Sequence, residues 1–266
     1  MRDQALLKSL IYGVVDVCTA GRGVKRVISG EPIRFPSRWC RYYPSDYDAP
    51  KFAFLRAHCP EQGVVLDIGA HIGLFSVFMA RLVGSSGRVF SFEPSPHTRH
   101  VLEETIRLNG CDRIIEVRAE AVSASSGTAV LYDTGDVLSN ANSLVRSSRT
   151  VAEVPVRSVT IDEFVGSRAS KVDCVKVDVE GAEFDVLAGA KETIERCRPA
   201  FEVEIHPSAL KQAGRSLDEG WSLLERSGFA VHHEGRGVDR QWFCSRTDNF
   251  DVQLLSAVSR PVGIAG

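Results

Sequence analysis

Apolar and polar positions along the chain fall into three regimes. Leu6, Leu7, Leu10, Ile11, Val14, Val15 and Val17 recur at three- and four-residue spacing, which predicts an amphipathic helix within residues 5–29. Between residues 31 and 50 that period is lost. Pro32, Pro36, Pro44 and Pro50 forbid a long helix there, and Phe35, Trp39, Tyr42, Tyr43 and Tyr47 mark an aromatic loop or short-strand region. From about residue 64, short apolar runs alternate with helical patterns: strands at 64–66, 88–92, 114–117, 172–177 and 200–205, helices at 74–83, 98–108 and 182–194. Such alternation predicts a parallel sheet covered on both faces, a doubly wound α/β domain with right-handed crossovers. Hairpin-like strands at 128–132 and 153–158 flank a polar loop, 133–150, and segments 229–233 and 241–245 predict a closing antiparallel pair. Residues 254–266 carry small side chains and are expected to fray.

These patterns divide the chain into an N-terminal helical and aromatic extension (1–55), one α/β domain (56–248) and a tail (249–266). The 266 residues are 44% hydrophobic and 25% charged, which is globular rather than disordered composition. A net charge of −2 argues against a chain that coats nucleic acid or anionic membrane. Seven scattered cysteines form no C-x-x-C pair, so free thiols in a reducing compartment are expected. The best apolar run, 6–18, is broken by Lys8 and Asp16 and falls short of the roughly 20 residues of a spanning helix. Without a secretory signal pattern, a soluble cytoplasmic protein is expected.

The chemical signal sits at the predicted strand ends, where an open parallel sheet binds its ligand. The first strand runs into Asp67-Ile68-Gly69-Ala70-His71-Ile72-Gly73. A dinucleotide fingerprint needs glycines at relative positions one, three and six; counting from Gly69, those positions hold Gly69, His71 and Leu74. A Walker loop fails as well, because no Gly-Lys-Ser/Thr follows. What is present, Asp-x-Gly-x-x-x-Gly, resembles the first motif of the S-adenosylmethionine-dependent methyltransferases. In that motif Gly69 lets the backbone approach the methionine part of the ligand and Gly73 permits close helix packing. Asp67 orients the loop or meets the ligand's ammonium through charge-assisted hydrogen bonds. Glu93 ends the second strand 26 positions later, placed to accept two ribose hydroxyls and held extended by Pro94. Glu120 and Ala121 close the third strand, where an adenine edge is expected.

The fourth strand reads Val175-Lys176-Val177-Asp178-Val179-Glu180-Gly181-Ala182-Glu183 and the fifth Phe201-Glu202-Val203-Glu204-Ile205-His206-Pro207. With residues 67–73, Phe92-Glu93-Pro94-Ser95-Pro96 and Ser158-Val159-Thr160-Ile161-Asp162, they resemble the FkbM family of methyltransferases over roughly residues 50–235. The resemblance implies a Rossmann-like class I fold, a mostly parallel seven-stranded sheet whose last strand is antiparallel. It also implies S-adenosylmethionine as cofactor and O-methylation of a hydroxyl on a sugar, glycolipid or other secondary metabolite. His71 departs from the family, which usually has Asn there; either side chain can hydrogen-bond in the loop. Two other functions stay open: a donor-binding scaffold subunit without catalysis, and an α/β nicotinamide-dependent oxidoreductase, against which the failed glycine pattern counts.

Methyl transfer to an alcohol must hold donor and acceptor in line and remove a proton whose solution pKa is far above neutral. Asp178, Glu180, Glu204 and His206 are all expected at one edge of the sheet, the sort of clustering found at active sites. His206 is the expected base on intrinsic pKa, and Asp178, next to the donor, positions the hydroxyl or steadies the imidazolium. Glu180 serves either the chemistry or the start of the next helix. These four would suit a divalent ion, but no spacing demands one and the resemblance implies none. The N-terminal aromatics are available as a lid, with core packing the plainer reading. Asn140, Asn142 and Ser143 in the polar loop suit a polyhydroxylated acceptor. The expected partner is a small-molecule or glycan acceptor and not nucleic acid. The N-terminal helix offers a homodimer face, or a membrane contact if the acceptor is lipid-linked.

Overall fold

The structure is a computed structural model and describes residues 12, 14, 17–135, 142–148 and 150–256. The chain falls into two compact units, one carried by Met1–Ala119, the other by Glu120–Gly135 and Ala141–Gly266. Most of the segment expected to form the N-terminal helix, the loop residue Asn140 and the tail beyond Ser256 lie outside the described residues.

The first unit opens with an antiparallel hairpin, β1 (Val24–Ile28) and β2 (Glu31–Phe35). Residues 24–28 therefore do not continue the expected helix. The reason is local: Ser29 (φ 45°) and Gly30 (φ 85°) form a two-residue turn with both dihedrals positive, the geometry that matches hairpin twist. A helix, Ala49–His58, follows, its N-terminus closed by Asp48, whose carboxylate accepts from the Lys51 amide. Three parallel strands then alternate with helices: β3 (Val64–Ile68), helix Leu74–Val83, β4 (Arg88–Phe92), helix Pro96–Leu108 and β5 (Ile115–Arg118). Val65, Leu66, Val89 and Phe92 are buried, as strands covered on both faces require. Phe75, Val77, Phe78, Met79 and Val83 fill the space beneath them from the first crossover helix.

In the second unit β6 (Ala121–Val122), β7 (Gly127–Asp133) and β8 (Ala152–Val159) make a small sheet in the order β6-β8-β7. The hairpin predicted around the polar loop is present as antiparallel β7 and β8. Next come helix Ile161–Arg168, β9 (Cys174–Val177), helices Glu183–Ala188 and Lys191–Cys197, and β10 (Ala200–Ile205), parallel to β9. Two helices stand where one was expected across 182–194. Gly189 lies so close to Ser123 that a Cβ would meet its carbonyl oxygen at 2.4 Å, and Asp162 draws in the Glu192 and Thr193 amides at 3.0 and 2.8 Å to start the second helix. After helices Pro207–Gln212 and Leu217–Arg226, β11 (Phe229–His233), the two-residue β12 (Arg236–Gly237) and β13 (Phe250–Ser256) complete the order β9-β10-β13-β11-β12.

The closing antiparallel strand is β13, lying between β10 and β11 and antiparallel to both. It is not 241–245, which lies largely within a helix (Arg240–Cys244) started by Asp239 accepting from the Trp242 amide at 2.8 Å. Residues 254–256 are ordered by the same strand rather than frayed. All seven cysteines are unbridged, and among the described residues no helix is long and apolar enough to cross a membrane.

Candidate active site

The first unit assembles Asp67, Gly69, His71, Gly73, Glu93 and Pro94. Beyond β3 the backbone reverses through Gly69 (φ 78°), His71 (φ 49°) and Gly73 (φ 90°). The Gly69 and Ala70 amides donate to the Phe92 carbonyl at 3.1 and 3.0 Å, fastening the loop to the tip of β4. At Gly73 a side chain is excluded twice, by dihedral and by Leu102 Cδ1 at 2.7 Å from a built Cβ. Asp67 is fully buried. Its Oδ2 accepts from Ser76 Oγ at 2.6 Å, and Ser76 Oγ accepts from Ser91 Oγ at 2.9 Å. Glu93, 7% exposed, clips two loops together: Oε2 accepts from the His71 amide and Oε1 from the Ser95 amide, both at 3.0 Å. Pro94 presents its carbonyl to Arg99 at 3.1 Å.

Of the N-terminal aromatics, Phe35, Trp39 and Tyr43 are packed into the core, while Tyr42 and Tyr47 are half-buried. Trp39 and Tyr43 are 5% and 7% exposed. The Tyr43 hydroxyl lies 3.2 Å from His71 Nδ1, and the Tyr42 and Trp39 rings stand 5.0 and 5.9 Å from the imidazole. His71 is thus held from behind by packing as well as by its amide.

An adenosyl donor brings a ribose diol, and the carboxylate of Glu93 at the tip of β4 fits that chemistry; Asp67, buried and bonded to Ser76, orients the loop. A carboxylate accepts up to about four hydrogen bonds, so holding two amides is compatible with a diol at Glu93.

The other expected residues lie in the second unit. Glu120 and Ala121 do not close the third strand of the alternation, which ends at Arg118: Ala121 is buried in β6, paired with Ser158 of β8, and Glu120 precedes it. Asp178 and Glu180 follow β9; Glu204 is the penultimate residue of β10 and His206 comes just after the strand. Glu180 has a left-handed backbone (φ 55°) and Gly181 (φ 110°) completes the turn, where a Cβ would stand 2.7 Å from that of Ala209. This turn aims Glu180 back over the strand ends. His206 is 2% exposed. Its Nδ1 meets Glu183 Oε1 at 2.7 Å, and its Nε2 faces Glu180 at 3.5 Å, Glu204 at 3.6 Å and Asp178 at 3.8 Å. Glu183 Oε1 also accepts from the Gly181 amide at 2.7 Å.

Burial and charge together set the titration of this cluster. Burial and the neighbouring Asp178, Glu204 and Glu183 push Glu180 up to about 7, although the His206 charge pulls it the other way. Burial works against a charged His206, but the Glu183 hydrogen bond and charge, helped by Glu180 and Asp178, outweigh it and push the imidazole up to about 10. At neutral pH His206 is a cation, which intrinsic pKa alone would not indicate.

Two participants were not anticipated, and a third has a further role. Glu183 is fully buried, and its place two residues after a glycine turn is the signal that marks it. Lys176, 2% exposed, lies 3.6 Å from Asp178 Oδ2. Ser143 was expected as an acceptor contact, yet its Oγ donates to the Glu180 carbonyl at 2.7 Å and accepts from the Val145 amide at 3.0 Å, so it also pins the turn. Ser143→Ala removes both hydrogen bonds, each contributing about 1 kcal/mol net; thermal unfolding should show a modest loss of stability, with kcat lowered more than donor affinity.

A pocket of about 250 Å³ opens onto the cluster, lined by Ser143, Ser147, Ser148, Ser208, Gln212 and Asn249, with Glu180 and His206 in its wall. Asp178, Glu180 and His206 each offer a ligand atom, all within 4.8 Å of one another, so carboxylate and imidazole donors stand close enough for a divalent ion as well as for proton transfer.

Residues 67–231, well over half of the chain, match the Methyltransferase FkbM domain. Methyltransferase sdnD of Sordaria araneosa is 28% identical over 205 residues, 66% of this chain and 76% of that protein. Hexuronic acid methyltransferase AglP of Haloferax volcanii is 31% identical over 148 residues, 55% of this chain and 57% of that protein. A solved structure from Clostridium thermocellum, thought to be an rRNA methylase, superposes with a TM-score of 0.50 at 12% identity, covering 77% of this chain and 92% of that one, and speaks to the fold alone. The strand order, the glycine loop and the matched domain define an S-adenosylmethionine-dependent methyltransferase with the class I α/β fold. The chain belongs to the FkbM methyltransferase family, which removes the nicotinamide alternative.

Proposed function

We propose that the protein methylates a hydroxyl oxygen of a sugar-like or other polyhydroxylated small molecule. One observation carries this reading: Glu180 and the buried His206 lie 3.5 Å apart in the wall of a pocket lined mostly by hydroxyl and amide side chains, and burial pushes Glu180 up to about 7. An alcohol needs a proton acceptor as it becomes a nucleophile, and a carboxylate poised near neutral pH suits that task. The hexuronic acid named for one relative supports a sugar acceptor. The same observation disfavours a scaffold without catalysis, which has no use for such a cluster.

When bound, S-adenosylmethionine supplies an electrophilic methyl group on a sulfonium centre. The loop 67–73 and Glu93 would hold it in the first unit: Glu93 would take the ribose hydroxyls, and Asp67 and Gly69 would serve the methionine end; Glu120 and Ala121 are the residues proposed for the adenine. In the second unit the acceptor hydroxyl gives its proton to Glu180. The His206 imidazolium, oriented by Glu183, offsets the negative charge that develops on the oxygen. Asp178 and Glu204 orient His206 and the hydroxyl. This assignment moves the base from His206, which intrinsic pKa favoured, to Glu180, because His206 carries its proton at working pH.

Radiolabelled methyl transfer to cell extract, with the product resolved as an acid-stable ether, tests the reaction; a labelled amine or thioether product would overturn O-methylation. A second reading follows from the mutual proximity of Asp178, Glu180 and His206, in which a divalent ion binds the hydroxyl. The two differ in one measurement. On the proton-transfer reading EDTA leaves turnover within about twofold, whereas removing an essential ion typically costs several orders of magnitude.

A further inference from the structure

The pocket beside His206 also has a charge preference. Resting on the reading of that pocket as the acceptor site, we propose that it selects a polyhydroxylated ring bearing no anionic group and discriminates against hexuronates. The side chains of Ser148, Ser208, Gln212 and Asn249 line the pocket, and among the described residues none of the four is engaged in a side-chain hydrogen bond. Hydroxyl and carboxamide groups both donate and accept, as ring hydroxyls do, so they complement a polyol whichever way its protons point. None of the described lining residues is Lys or Arg, the side chains that recognise a carboxylate in paired, charge-assisted fashion.

The inner wall carries the opposite message. Glu180, Glu204 and Asp178 converge on the single imidazolium of His206, whose other nitrogen is already engaged by Glu183. A carboxylate arriving on the acceptor meets an excess of negative charge in a partly dehydrated site, where like charges repel more strongly than in bulk water. A neutral hydroxymethyl group meets no such penalty. A ring of six atoms with its hydroxyls is compatible in size with the 250 Å³ available.

The test uses the purified full chain, labelled donor, and a panel of methyl hexopyranosides set against the matching hexuronates at low ionic strength. The expected result is transfer to at least one neutral hexoside, with kcat/KM for its hexuronate at least about tenfold lower and the gap narrowing as salt screens the charge. Gln212→Arg, outside the proton-handling cluster, should shrink that gap by lowering KM for the hexuronate while donor affinity stays unchanged. Equal or better transfer to hexuronates by the unaltered protein overturns the charge preference while leaving O-methylation intact. Transfer to no sugar of either kind, with donor binding demonstrated by calorimetry, overturns the sugar-acceptor reading itself and this inference with it.

Discussion

Glu180→Gln lowers kcat by roughly 10²–10⁴-fold, the usual contribution of a positioned general base, and abolishes the rise of rate with pH that the unaltered enzyme shows. The expected profile of the unaltered enzyme is bell-shaped. Below about 7 Glu180 holds a proton and cannot accept another, so the rate climbs as pH rises through that value. Near about 10 His206 loses its charge and the rate falls. Glu180 is faced by His206, Asp178, Glu204 and Glu183, and removing the cation among them has a distinct signature. In His206→Ala the carboxyl group is left among acidic neighbours, so its pKa rises further and the ascending limb moves to higher pH. If His206 were the base instead, its removal would erase the ascending limb and Glu180→Gln would cost little. Measuring kcat across pH for the three proteins separates these outcomes, provided donor affinity is measured in parallel.

Glu93→Ala weakens donor binding by at least tenfold and lowers the unfolding temperature. Both effects follow from its double role. Hydrogen bonds to a charged group contribute about 1.5–3 kcal/mol each, and here two backbone amides, those of His71 and Ser95, lose their acceptor together. For a chain of this size each kcal/mol corresponds to roughly 2–4 °C. Glu93→Gln keeps one carbonyl oxygen and should fall between the two. Calorimetric titration with S-adenosylmethionine and its demethylated product, well below the unfolding temperature, gives the binding term alone. A lowered melting point with unchanged affinity would reduce Glu93 to a clip between loops and remove it from the donor site.

Much of this architecture is written in hydrophobic spacing. Strands Arg88–Phe92 and Ala200–Ile205 and helix Leu74–Val83 have the bounds that their apolar runs predict, because buried parallel strands and their crossover helices leave little freedom of pattern. Departures occur where one or two polar contacts decide. Asp239 closing on the Trp242 amide turns 240–244 into a helix, and the alternating Phe250-Asp251-Val252-Gln253-Leu254 was the better strand signal nearby. Gly189 splits a helix through its close approach to Ser123, a contact between residues 66 positions apart that no local window contains. The candidate site shows the same division. Its titratable residues are legible as strand-end carboxylates and a histidine, since β9 and β10 are parallel neighbours and must deliver their ends together. Their protonation states are not legible, because those depend on burial and on Glu183, a residue 23 positions from His206.

The packing behind His71 has an evolutionary consequence. The matched family domain begins at Asp67, yet the loop that starts there leans on Trp39, Tyr42 and Tyr43, all upstream of it. Selection acting on that upstream segment can therefore retune how stiffly the donor loop is held without altering any residue of the motif. Lineages sharing an identical glycine loop could differ in turnover and donor retention through their leading aromatics alone, and a comparison confined to the shared domain would miss where the difference arose.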